Sequence, residues 1–316
     1  MLKKTAVVLV NLGAPSTLDE VQPFLKNLFS DPDIFHFPFG KAGQSFFSSM
    51  ISAIRAPKSK SFYASIGGGS PLRKITEKQG ELLAKKLLTK GDFTVFTSQR
   101  YWHPFIHDII VEVEKGDYNE ILLLPMYPQY STTTTQSVIN EWNKIYRGNT
   151  NVRIINRFYN HPVYLKTCIG MIETALQNYD QLPHLLFTAH SIPVSRVKNG
   201  DTYQIEIEDH VRLIMSQLPE SMPYTISYQS KVGPVKWLEP TVEQALDQIL
   251  ATGETSVLVF PISFVAENLE TLYELDIQKK DIALKKGIIS WNRIPAMDLN
   301  EGFIQTLADI IIESDT

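Results

Sequence analysis

Eight short β-branched runs bounded by Gly, Pro, Asn and Ser, with helical patterns between them, predict an α/β chain built on parallel sheets covered by helices. A second observation divides these runs into two similar Rossmann-like lobes, each a four-stranded parallel sheet flanked by helices. Leu-Leu-Leu-Pro125 is matched by Leu-Val-Phe-Pro261, and Ile-Asn-Arg157 by Trp-Asn-Arg293, both at a separation of 136 residues. A third is size: 316 residues with 43% hydrophobic content suffice for two domains of ordinary dimensions, each with its own core.

The first run, residues 5–12, follows a basic stretch, an order shared with signal peptides. Asn11 and Gly13 break it at once and no small-residue cleavage site precedes Asp19, so it reads as a strand. Runs at 93–97, 120–124 and 152–156 complete the first lobe, and runs at 184–189, 224–228, 256–260 and 287–291 make the second. The polar turn Gly148-Asn149-Thr150 is read as the boundary, giving domains 1–150 and 151–316. A last helical pattern, about 300–312, has no assigned lobe. Open parallel sheets bind ligands beyond the carboxyl ends of their strands, so the segments after each strand are expected to line an interlobe cleft.

With 30 Lys and Arg against 34 Asp and Glu, the net charge of −4 offers no global attraction for a polyanion, and nucleic acid is not an expected partner. One cysteine, Cys168, can neither close an intramolecular disulfide nor hold an iron–sulfur cluster, which suits a reducing cytoplasm. No run approaches the ~20 apolar residues that span a bilayer, so any membrane contact is expected to be peripheral.

Four features carry chemistry. His190 ends the run Leu-Leu-Phe-Thr-Ala-His, at the carboxyl edge of a buried strand. An ordinary pKa near ~6.5 lets it accept a proton or ligate a metal at neutral pH, or it simply caps the next turn. Beyond Pro261, Glu267, Glu270 and Glu274 have the i, i+3, i+7 spacing of one helical face. Such a row can pass protons or, with an imidazole, a cation such as Fe²⁺, Co²⁺ or Zn²⁺, or be a solvated face complementing the helix dipole. The loop Gly67-Gly68-Gly69-Ser70-Pro71 either offers backbone N–H groups to an anion or turns the chain before a helix starting at Pro71. It lacks the ending of a P-loop. The stretch 34–60 carries Phe35, Phe37, Phe39, Phe46, Phe47 and Met50, then Arg55, Lys58 and Lys60. It reads as a lip for an anionic bilayer or a greasy ligand, or as an amphipathic helix on the core.

Seven segments in order resemble the ferrochelatase family. They are Val-Asn-Leu-Gly-Ala-Pro15, Ile-Gly-Gly-Gly-Ser-Pro71, Arg-Tyr-Trp-His-Pro104, Tyr-Pro-Gln-Tyr-Ser131, Ala-His-Ser-Ile-Pro193, Gln-Ser-Lys-Val-Gly-Pro-Val-Lys-Trp237 and Glu-Thr-Leu-Tyr-Glu-Leu-Asp276. The resemblance implies insertion of Fe²⁺ into protoporphyrin IX. His190 would be the active-site histidine and Glu270 its acidic partner, both candidate metal contacts, with Glu267 and Glu274 as a relay. It implies that Arg55, Tyr63 and Ser70 meet the porphyrin propionates, and that Arg100, Trp237 and Phe264 contact the macrocycle. Leu12 stands where many protoporphyrin-type relatives have methionine and coproporphyrin-type ones tyrosine, which favours protoporphyrin. Asn268 replaces a second histidine of some relatives, and Glu267 an aspartate. The cysteines of cluster-bearing members are absent, so no cofactor is expected. A coproporphyrin III ferrochelatase, another tetrapyrrole chelatase, or a non-catalytic haem or porphyrin carrier are the alternatives; a carrier has no need of the acidic row.

Overall fold

The computed structural model describes residues 3–35 and 37–314. The strands are β1 (Lys4–Asn11), β2 (Asp92–Gln99), β3 (Glu120–Pro125), β4 (Asn151–Ile154), β5 (His184–His190), β6 (Tyr224–Gln229), β7 (Ser256–Pro261) and β8 (Ser290–Arg293). The α-helices are α1 (Val21–Phe29), α2 (Gly40–Ser65), α3 (Leu72–Leu87), α4 (Ile106–Glu114), α5 (Thr135–Ile145), α6 (Pro162–Leu176), α7 (Val194–Lys198), α8 (Tyr203–Met215), α9 (Val242–Ala251), α10 (Lys280–Lys286) and α11 (Glu301–Glu313). A π-helix, Glu270–Lys279, runs directly into α10.

All strand pairs are parallel, in two four-stranded sheets ordered β2-β1-β3-β4 and β6-β5-β7-β8. The identical order is the architecture expected of a duplicated unit. The two sequence offsets do not agree in space, however. Glu120 and Ser256, which open β3 and β7, are 136 residues apart, whereas their sheet partners Asn151 and Ser290 are 139 apart. The Asn-Arg match is therefore displaced by three residues from the structural equivalence. The last strand also starts later than its β-branched pattern, because Gly287, at φ +113°, ends α10 in a left-handed turn.

The chain forms two compact units, one of residues 1–127, 131–157 and 307–316, the other of 128–130 and 158–306. The division falls after Arg157 and not at Gly148–Thr150, because β4 hydrogen-bonds along β3 and completes the first sheet. The last turns of α11 belong to the first unit.

Each unit has its own apolar core. In the first, alternate residues Ala6, Val8 and Val10 of β1 and Ile121 and Leu123 of β3 pack on Ile106, Ile109, Ile110 and Val113 of α4 and on Val138 and Trp142 of α5. In the second, Leu186, Val257 and Val259 pack on Val242, Ala245, Leu246 and Ile249 of α9 and on Leu275, Ala283, Ile288 and Trp291. Central strands buried on both faces read as continuous hydrophobic runs, which is why they were legible as strands.

A titratable group lies inside the second unit. His210 of α8 is fully buried, which pushes its pKa down to about 3, with Asp209 opposing. Its Nδ1 accepts from Gln129 Nε2 at 2.9 Å, which leaves the proton on Nε2, 3.8 Å from the Cys168 sulfur. A neutral buried histidine stabilises the fold fully above the ordinary histidine pKa of ~6.5, and that contribution is lost as pH falls toward the folded value. Melting temperature is therefore expected to drop from pH 6.5 downward. A His210→Gln variant, which keeps an acceptor for Gln129, should show a flatter slope across that window in a pH series of thermal melts.

Candidate functional site

The carboxyl ends of β5, β6 and β8 and the segment after β7 carry the polar residues of the second unit. β5 delivers His190 to its end, where the backbone N–H donates to Ser263 Oγ at 3.1 Å. The Tyr203 hydroxyl bonds the same serine and the His190 backbone. The imidazole meets the Phe264 ring edge-to-face at 6.5 Å. Beside His190 in the sheet, Gln229 donates from Nε2 to the Glu270 carbonyl at 3.2 Å and to Glu274 Oε2 at 3.4 Å. The strand after His190 continues as a short antiparallel bridge between Pro193 and Trp237. The indole N–H of Trp237, the hydroxyl of Ser191 and Oε1 of Gln229 are buried without a protein partner. Buried polar atoms of this kind mark places where a bound molecule or water supplies the partner.

The three glutamates do not form the helical row that their spacing predicts. Glu267 precedes the π-helix, and its carboxylate is committed. Oε1 accepts from Arg293 Nη1 at 2.8 Å and from the Ala296 N–H at 3.0 Å, and Oε2 accepts from the Thr271 hydroxyl. Glu274 accepts from both the N–H (2.9 Å) and the hydroxyl of Ser230, with Lys279 Nζ at 3.6 Å. Ser230 holds these bonds from a left-handed φ of +66°. Glu270 alone of the three has a carboxylate to which no hydrogen bond is fixed by another described residue. Burial pushes this carboxyl above the ordinary carboxylate range; the charge of His190 and its own backbone N–H pull it back, and Glu274 pushes it further up. Glu270 thus lies within reach of the His190 charge, while the other two hold the segment. Nearby, burial raises Asp298, which accepts from the Glu267 N–H at 2.8 Å, up to about 6. Among the described residues no three of His, Cys, Asp and Glu converge to hold a metal ion.

In the first unit, β1 ends in Asn11, whose amide donates to Thr76 of α3 at 3.1 Å, and Leu12 follows half-buried. The glycine loop docks on the same segment: Ser70 N–H donates to the Pro15 carbonyl at 2.8 Å, and a Cβ on Gly69 would lie 2.1 Å from the Ser16 carbonyl oxygen. The loop is thus held by backbone approach, with Gly67 and Gly68 at positive φ and α3 starting at Leu72. Ser70 and Tyr63 are buried, while Arg55 is exposed on α2, its guanidinium 5.7 Å from the Phe29 ring centre.

Arg100, for which the resemblance implies a macrocycle contact, is engaged within the first unit. Its Nη2 donates to Asp31 at 2.8 Å and Nε to Ser137 at 2.9 Å, and Asp31 also accepts from the Tyr101 hydroxyl at 2.5 Å. Only 12% of its side chain is exposed, so a carboxylate-rich network inside the unit claims it.

Sequence reasoning did not single out Gln229, Ser230, Ser263, Tyr203 or Arg293. The first two lie in the Gln-Ser-Lys-Val-Gly-Pro segment and Arg293 in the Asn-Arg pair, where the motif was visible but the contacts were not. A carboxyl raised by burial destabilises the fold once it ionises. Glu270→Gln is therefore expected to melt higher than the parent at neutral pH. The gain should shrink as pH falls toward the ordinary carboxylate pKa of ~4.3 and vanish below it, as thermal melts between pH 4 and 8 would show.

A family model described as Ferrochelatase matches residues 4–315. The chain is 43% identical over 324 residues to the chloroplastic ferrochelatase-2 of Cucumis sativus, covering 98% of this chain and 63% of that one. It thus spans less than two thirds of that relative. It is 41% identical over 312 residues to the ferrochelatase of Aquifex aeolicus strain VF5, with 98% of each covered. The solved structure of SirB from Bacillus subtilis with Fe³⁺ shares the fold, at a TM-score of 0.58 and 10% identity over 98% of this chain and 95% of that one. On the extent of the family match and the identity to its members, this chain belongs to the ferrochelatase family.

Proposed function

We propose that this chain inserts Fe²⁺ into protoporphyrin IX to give protohaem, with release of two protons. Metallating a free-base porphyrin requires the ring to bend, so that nitrogen lone pairs face the metal, and both pyrrole N–H protons to leave. The observation that carries this reading is the pair in the second unit. A half-buried glutamate to which no other described residue fixes a hydrogen bond lies within electrostatic reach of an imidazole at a strand end. A carboxyl raised above the ordinary carboxylate range is better matched to proton transfer than an unperturbed one. His190 and Glu270 divide proton acceptance and metal delivery between them, and Fe²⁺ is a substrate that passes through. Phe264 and the unpartnered Trp237 indole offer contacts to the macrocycle. The family resemblance gives the propionates to Arg55, Tyr63 and Ser70, a cation and hydroxyls suited to carboxylates. Such remote contacts can offset the strain of bending the ring. Leu12, apolar just beyond the end of β1, suits protoporphyrin IX.

The test is anaerobic metal insertion, read as loss of free-base porphyrin fluorescence, with Fe²⁺ or Zn²⁺ and with protoporphyrin IX against coproporphyrin III. Rapid protoporphyrin metallation is expected, falling on the order of 10²–10⁴-fold in His190→Ala, the range that general acid–base groups contribute. Tight porphyrin binding without turnover on either substrate would instead make the chain a carrier.

We further infer peripheral contact with an anionic membrane through α2. The residues this helix buries are mostly small, Gly43, Ser48, Ser52 and Ala56, while Phe46 and Ile54 stand 64% and 70% exposed and Phe39, just before it, 82%. No described helix is long and apolar enough to cross a membrane. An outward row of large apolar groups followed by Arg55 and Lys58 fits the boundary of an anionic bilayer. Co-sedimentation with phosphatidylglycerol vesicles is expected, weakened about tenfold in the double variant Phe39→Ser, Phe46→Ser. Absence of parent protein from the vesicle pellet would end this reading.

A further inference from the structure

β8 ends in Arg293, a residue that touches neither His190 nor Glu270 by any hydrogen bond. Its guanidinium donates from Nε and Nη2 to the two oxygens of Asp276, both at 2.7 Å, and from Nη1 to Glu267 Oε1 at 2.8 Å. Nη1 also reaches the Ile294 carbonyl at 3.2 Å, and only 8% of the side chain is exposed. One planar cation therefore grips the chain three residues before Glu270 and six residues after it.

This segment has need of such a grip. A π-helix is rare because its wider turn is poorly favoured by local propensity, so tertiary contacts must hold it. Here they come from two sides. Gln229 holds the Glu270 carbonyl from β6, and Arg293 holds Glu267 and Asp276 from β8. Around Glu267 the start of the segment is tied again, through the Thr271 hydroxyl, the Ala296 N–H and Asp298. Asn268 adds a reciprocal pair with Thr271, each backbone N–H donating to the other's side-chain oxygen at 3.0 Å. Glu270 lies inside this frame with its own carboxylate left free.

We propose that Arg293 is a positioning residue for metal insertion, its fork clamping Glu267 and Asp276 so that the π-helix presents Glu270 toward His190. The proposal rests on the chelatase reading of that pair and deepens it. It depends on the fork and not on charge alone. A guanidinium delivers two parallel N–H groups to one carboxylate and a third to another, whereas a lysine ammonium is a point charge that does not hold both in a fixed plane. A misplacement of about 1 Å in a reacting group can cost ~10²-fold in rate while leaving binding contacts elsewhere intact.

The experiment compares parent, Arg293→Lys and Asp276→Asn in the full chain. The measurements are thermal melting, protoporphyrin IX affinity by fluorescence, kcat for Zn²⁺ insertion, and amide hydrogen exchange across residues 267–276. The first variant keeps a positive charge beside both carboxylates, and the second removes the charge and one of the two acceptors of the far arm and leaves the Arg293–Glu267 pair. Both are expected to fold, bind porphyrin within about twofold of the parent, lose kcat by ~10–10²-fold, and exchange faster in that segment. Parental kcat in either folded variant, unchanged exchange, or kcat and porphyrin affinity falling together would overturn the proposal. Failure of both variants to fold would also overturn it, making the grip a stability element only. If the parent itself fails to metallate porphyrin, the functional reading falls separately, and exchange alone then decides whether the clamp orders the segment.

Discussion

Parallel strand order is the constraint on which the rest of this molecule depends. When every strand in a sheet runs the same way, all carboxyl ends emerge at one edge, and the side chains that finish the strands are brought together without any loop being asked to reach. In the second unit those ends are His190, Gln229, Pro261 and Arg293. Their sequence separations are large, yet the sheet register sets His190 beside Gln229 and Val259 beside Arg293. The same rule in the first unit sets Asn11 beside Gln99, with Leu12 and Arg100 just beyond.

Given that edge, the distribution of charge follows from the cost of burying it. A carboxylate removed from water is tolerated when donors surround it, and Glu267 and Glu274 are each surrounded by cations, N–H groups or hydroxyls. Asp31 in the first unit is treated the same way by Arg100, Tyr101 and Ser137. Glu270 is the exception. Its carboxyl has burial without donors fixed by other described residues, and the result is a pKa raised above the ordinary carboxylate range. Three glutamates of the same residue type, within eight positions of one another, thus have three different environments.

The outer helix α2 repeats the lesson in apolar terms. Small residues on its inner side let it lie close along α1, with Ser48 and Ser30 hydroxyls 3.0 Å apart. Its large side chains are then left outside. Phe29, Phe35, Phe37, Phe47 and Phe46 form a continuous run of ring contacts from the core side of this region outward. The aromatic count of this stretch was evident in the sequence; which faces were buried was decided by the small residues between.

The sequence by itself determined the parallel α/β class, the eight strands, the turn made by Gly67 and Gly68, and the family, because these depend on local pattern and on motifs read along the chain. Only the tertiary structure decided that Arg100 is claimed by Asp31, that Glu267 and Glu274 hold the fold while Glu270 stays free, and that the unit boundary follows β4. A carboxylate's role is set by which donors lie within about 3 Å of it, and Arg293 for Glu267 and Ser230 for Glu274 lie more than 20 residues away in sequence. Spacing along one segment carries no record of them.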